Sequence, residues 1–164
     1  MKLDAIDVRI LEAVQRDGRI TKVALSEKVG LSATPCWVRL RKLEKAGIIA
    51  SYHARVAIHR IAPIASILME VTLENHRQAD FERFERVILT VPEVVACWSV
   101  GGGVDYILRI VATDIDAYQR LVDTLLDRNL GIARYFTYIV TKTVKDESAM
   151  PLSILARPSD TTSN

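Results

Sequence analysis

The chain has 164 residues, 49% of them apolar, which is enough for one medium domain or two small ones with a packed core and excludes a disordered chain. A formal net charge of +2 says little by itself, but residues 1–60 carry 12 Lys/Arg against 6 Asp/Glu and residues 61–164 carry 10 against 14. Only the front half therefore favours a polyanion, although so modest an imbalance also arises by chance.

In chain order, Asp4 is placed to cap a helix whose inner face is Ile6, Ile10, Leu11 and Val14, with Gly18 as its stop. Thr21 caps a second, short helix with Leu25 and Val29 inward, ended by Gly30. Ser32 caps a third, with Pro35 in the first turn, where a missing N–H costs nothing. Cys36, Leu40 and Leu43 then share its buried face, and Gly47 stops it. Residues 48–58 read as an extended strand hinge, and 59–63 as the domain boundary.

The back half switches between periods of two and 3.6. A strand over 65–73 turns Ala65, Ile67, Met69, Val71 and Leu73 to one side. A helix over 79–91 carries Phe81, Phe84, Ile88 and Val91. Strands at 94–100 and 104–112 flank the Gly101-Gly102-Gly103 turn. Asp114 caps a helix with Ile115, Tyr118, Val122 and Leu125 inward, and 132–144 is a last long strand. The fold class expected is α+β: a winged-type helix-turn-helix over 1–60, then a ferredoxin-like βαββαβ sensing and assembly domain over 61–150. A tail over 151–164 follows, frayed from about Ala156. A sheet with helices on one face needs cover on the other, and a symmetric second copy supplies it.

Two helices separated by Gly30-Leu31-Ser32 have helix-turn-helix spacing, with the third helix as the reader of DNA. Ala33, Thr34, Trp37 and Val38 are placed to meet base edges near its start, with the cap residue Ser32 beside them as a further DNA contact. Arg39, Arg41 and Lys42 are placed for phosphates or guanine, and Thr21 and Lys22 for the backbone through a helix N-terminus. The plainer reading is a helical hairpin with a solvated basic face. An exposed tryptophan there favours a contact surface.

In the glycine turn, Gly101 and Gly102 let a ligand approach closely. Asp105 can pair with an α-amino group, or else serve the turn or an assembly interface. Cys36 and Cys97 lie far apart with no CxxC pattern, and His53, His59 and His76 are scattered, so no metal site is expected. No nucleophile–base pair and no phosphate loop ending in lysine is present, so the chain does not read as an enzyme. No apolar run approaches the roughly 20 residues of a membrane span. Met1-Lys2-Leu3-Asp4 does not read as a secretory leader. A cytoplasmic protein with reduced thiols and no membrane partner is expected.

Longer ordered motifs carry a family resemblance. Leu3-Asp-Ala-Ile-Asp-Val-Arg-Ile-Leu11, Asp17-Gly-Arg-Ile20, Leu25-Ser-Glu-Lys-Val-Gly-Leu-Ser-Ala-Thr-Pro-Cys36, Arg39-Leu-Arg-Lys-Leu-Glu44 and Gly47-Ile-Ile49 resemble the Lrp/AsnC, or feast/famine, transcription regulators. Gly102-Gly-Val-Asp-Tyr-Ile-Leu108 and Gly131-Ile-Ala-Arg-Tyr-Phe-Thr-Tyr138 extend the likeness over nearly the whole chain. The resemblance implies sequence-specific binding of double-stranded DNA and homodimers assembled into tetramers or octamers. It also implies an amino-acid effector held between sensing domains, with no other cofactor. The effector residues so implied are Gly101, Gly102, Val104, Asp105 and Thr137. The family's turn commonly has a hydroxyl, an acid and an aromatic residue where Gly101, Gly103 and Val104 stand. These departures allow a different amino acid, or none. DNA compaction with little sequence preference, and a sensing module that has lost DNA binding, are the rival functions.

Overall fold

The computed structural model describes residues 2–146 and 149–152. The chain divides into two compact units: residues 1–55 with the C-terminal residues from Lys145 on, and residues 56–144.

The first unit holds three helices, α1 (Ala5–Arg16), α2 (Lys22–Val29) and α3 (Ala33–Lys45). Asp4 starts α1 with a reciprocal capping box: its carboxylate accepts the N–H groups of Ile6 and Asp7, each at 2.9 Å, and Asp7 accepts the Asp4 N–H at 3.2 Å. Thr21 Oγ1 caps α2 by accepting the Ala24 N–H at 3.2 Å. Gly30 ends α2 at φ 71°, a left-handed conformation that a Cβ penalises. Ser32 occupies the N-cap position of α3, but its hydroxyl makes no capping bond. Ile10, Leu25, Val29, Cys36, Leu40 and Leu43 close into one core.

Residues 48–58 depart from expectation. The segment over 51–57 is exposed and joins no ladder, and Ile58–Arg60 form a 3₁₀ turn. An extended segment becomes a strand only where a neighbour takes up its N–H and C=O groups, and no strand pairs with it among the described residues. The expected tail boundary also moves. Arg55 bonds the backbone oxygen and carboxylate of Asp146 at 2.9 and 2.8 Å. Gln15 binds both backbone groups of Met150, and Leu152 packs on the first core. Asp146, Met150 and Leu152 thus contact the helical unit. The fraying expected from Ala156 lies outside the described residues.

The second unit is a four-stranded antiparallel sheet in the order β2-β3-β1-β4, with β1 (Ala65–Leu73), β2 (Val94–Ser99), β3 (Tyr106–Ala112) and β4 (Ile132–Ile139). Helices α4 (Gln78–Ile88) and α5 (Ile115–Asp127) complete the βαββαβ order. Alternate residues Ile67, Met69, Val71 and Leu73 of β1 and Tyr106, Leu108 and Ile110 of β3 meet Phe84, Ile88, Tyr118, Val122 and Leu125 in one core. The other face of the sheet leaves Leu68, Trp98, Phe136 and Tyr138 exposed, the last three to about half.

Several positions differ from the periodicity, and α4 ends at Ile88 rather than 91. β4 stops at Ile139, not 144, because β1 begins at Ala65 and offers no further partner after Ser66 accepts the Val140 N–H. β3 begins at Tyr106, so Val104 and Asp105 belong to the loop. Ile115 sits at the first position of α5 and is exposed.

Candidate nucleic-acid interface and effector loop

The outer surface of α3 carries Ala33, Thr34, Val38, Arg41 and Lys42, all exposed, with Thr21 and Lys22 exposed at the start of α2. Trp37 is half-buried, leaning on the first core. Lys22 Nζ lies 3.7 Å from the centroid of its indole, and the Arg41 guanidinium carbon 4.6 Å. Trp37 and Arg41 are four residues apart and so neighbours on one helix face. Arg41 also pairs with Glu44 at 3.1 Å, and Glu44 accepts the Tyr52 hydroxyl at 2.9 Å. Burial, then the Glu44 carboxylate, pushes the Tyr52 hydroxyl up to about 12.

Arg39 does not join this surface. Its guanidinium lies 2.6 Å from Asp4 and 2.8 Å from Asp7. The reason is helical phase: Arg39 stands three residues after Cys36 and four before Leu43, both buried, which sets it on the rim facing α1. Thr21 keeps its hydroxyl in the α2 cap, and Ser32 is exposed.

In the second unit the hairpin loop 100–105 is closed by a bond from Val100 N–H to Asp105 C=O at 3.0 Å. Gly101, Gly102 and Gly103 are exposed, and Gly102 takes φ 141°, a conformation that side chains other than hydrogen resist. Asp105 turns inward. Its carboxylate accepts the Leu73 N–H at 2.7 Å and lies 3.1 Å from His76 Nε2. The β1–β3 register explains this meeting, since Val71 pairs with Tyr106. Thr137 is not brought to the loop. It lies on β4 opposite Met69, and its Oγ1 is 2.6 Å from the Tyr118 hydroxyl. Gly101, Gly102, Val104 and Asp105 therefore cluster within one chain, and Thr137 stands apart from them.

Sequence reasoning missed His76, Glu44, Tyr52 and Gln15, whose partners are distant in sequence or lie on another element. It also missed a cavity of about 200 Å³ between α4 and β2, lined by Glu85, Ile88, Leu89, Cys97, Ser99 and Tyr106. Tyr106 gives its hydroxyl to Glu85 at 2.8 Å; burial and that carboxylate push it well above its usual range. Burial pushes the Cys97 thiol up to about 11 and raises that of Cys36 as well, so both are poor nucleophiles. Among the described residues, no group of three or more Asp, Glu, His or Cys could hold a metal ion. Among the same residues, no helix is long and apolar enough to cross a membrane.

Comparison with known proteins matches this division of labour. Residues 3–50 match a winged helix-turn-helix DNA-binding family, and residues 66–150 match the Lrp/AsnC ligand binding domain. The chain is 51% identical over 149 residues to the transcriptional regulatory protein DoeX of Halomonas elongata, covering 91% of this chain and 94% of that one. It is 37% identical to the leucine-responsive regulatory protein of Escherichia coli K12, covering 90% of each. A transcriptional regulator of Neisseria meningitidis, crystallised with L-Met, superposes with a TM-score of 0.88 at 34% identity, covering 94% of this chain and 99% of that one. A DNA-binding helix-turn-helix joined to a ligand-binding α+β domain, in this order and over nearly the full length, makes the chain a transcription regulator of the Lrp/AsnC family.

Proposed function

We propose that the protein binds specific promoter DNA as a homodimer, or a larger even assembly, and that an α-amino acid bound at the glycine loop changes that binding. The observation that carries the DNA face is the exposed set Thr34, Val38, Arg41 and Lys42 on α3 beside Lys22 of α2. Residues near the start of α3 meet base edges in the major groove, and the cations meet phosphates. Two such helices in a symmetric dimer read half-sites about 34 Å apart or a multiple of that. The uncovered sheet face, with Leu68, Trp98, Phe136 and Tyr138, supports pairing with a second copy.

The effector reading is supported by the N–H groups of the exposed Gly101, Gly102 and Gly103 and of the half-buried Val104, which have no partner among the described residues. Such donors suit a carboxylate. Asp105 already serves Leu73 and His76, so its role towards the ligand is to shape the loop. Thr137 lines the site only in an assembly where another subunit closes it. A relative bound to L-Met and others named for leucine favour a small apolar amino acid. The effector acts because it binds one assembly better than another.

The test is fluorescence anisotropy on the duplex upstream of the protein's own gene, against a shuffled duplex, at about 150 mM salt where non-specific binding is weak. Specific regulation requires affinities about a hundredfold apart or more, and a shift on adding one amino acid. Equal binding to both duplexes favours DNA compaction instead.

A further inference from the structure

Trp37 stands between cations from two different helices. Lys22 opens α2, and Arg41 lies one turn beyond Trp37 on α3. Both approach the same indole, at 3.7 and 4.6 Å. Two like charges on one ring repel each other, and the carboxylate paired with Arg41 is Glu44 alone. No carboxylate is paired with Lys22 among the described residues. The indole's electron-rich face offsets the repulsion, and its attachment to the core keeps the ring in place. Two cations already stand on this ring, which leaves less of it available to read a base.

We propose that Trp37 is a positioning residue: it holds Lys22 and Arg41 as a preformed pair of cations that grips one DNA phosphate from both helices. Long side chains lose rotamer freedom when they bind a phosphate, and a ring that already confines them removes part of that loss. Lys22 and Arg41 are both exposed, with one carboxylate between them, and a phosphodiester is the anion that DNA presents. Trp37 then contributes affinity for any sequence, while specificity comes from other residues of α3. This rests on α3 as the DNA-reading helix.

The experiment compares the full chain with Trp37→Leu, Trp37→Phe, Lys22→Ala and Arg41→Ala, and with the doubles W37L/K22A and W37L/R41A. Affinity for upstream and shuffled duplexes is measured by anisotropy across about 50–200 mM salt, and folding is checked by melting. Trp37→Leu is expected to weaken binding to both duplexes by the same factor, about three- to tenfold. Trp37→Phe retains most of the affinity, and the doubles lose less than the product of the single losses. A loss confined to the upstream duplex overturns the proposal, since Trp37 would then read a base. Fully multiplicative losses overturn it too. If Lys22→Ala and Arg41→Ala change neither affinity nor salt slope, the DNA face itself is wrongly placed, which separates that failure from a failure of Trp37 alone. Trp37→Phe serves as the folded variant if Trp37→Leu melts early.

Discussion

The Arg39 guanidinium lies 2.8 Å from Asp7, and the same nitrogen lies 2.6 Å from Asp4. One residue of α3 thereby fastens that helix to the capping box of α1. Asp7 is nearly buried in this arrangement, so the pair is not an ordinary surface contact. Arg39→Ala is expected to lower the stability of the first unit modestly, because solvent screens part of this ion pair. Urea unfolding reads this directly. DNA binding by the folded fraction should keep its salt slope, because Arg39 touches no phosphate in this reading.

The same cluster predicts a pH effect. The Asp7 N–H, then the Arg39 guanidinium, holds the Asp4 carboxyl below its ordinary value of 3.8. The ionised form is the one stabilised in the fold. Its contribution is therefore fully present above about pH 4 and fades as pH falls through the depressed folded value. The difference in melting temperature between the wild type and Asp4→Asn should be constant near neutrality and shrink below pH 4. A difference that grows on acidification would contradict the assignment.

Asp105 separates structure from ligand binding. Asp105→Ala strips the acceptor from the Leu73 N–H and should cost about 1–3 kcal/mol in urea unfolding. Asp105→Asn keeps the acceptor shape and should cost less. If it melts like the wild type yet loses all heat of amino-acid binding in calorimetry, the carboxylate is a direct ligand of the effector.

The uncovered sheet face predicts the effect of a charge on assembly. Phe136 lies on that face opposite Glu70, with the Arg134 guanidinium 5.4 Å from its ring. Phe136→Lys should weaken the dimer by at least about tenfold, as removal of a central aromatic anchor does. Sedimentation at several concentrations measures it. An unchanged dimer would move the interface elsewhere.

Much of this protein is legible in local pattern. Asp4, Thr21 and Asp114 cap where a side-chain acceptor precedes an amphipathic run, because capping needs only residues within one turn. β1 runs over Ala65–Leu73 as its alternation indicates, and the turn between α2 and α3 follows from Gly30. The family likeness likewise rests on runs of neighbouring residues. The end of β4 was not legible in the same way, since residues 141–144 have strand-like side chains but no strand beside them among the described residues.

The sequence by itself determined the elements, their order and the α+β division, because caps, periods and glycine stops act over a few residues. The tertiary structure decided which polar groups meet. It sent Arg39 to α1, placed Lys22 and Arg41 on Trp37, turned Asp105 to Leu73 and His76, and left Thr137 with Tyr118. Apart from Arg41 on Trp37, one turn apart on α3, those pairings join residues from different elements or loops. Helical phase and strand register bring them together, and no local pattern records either one across a loop.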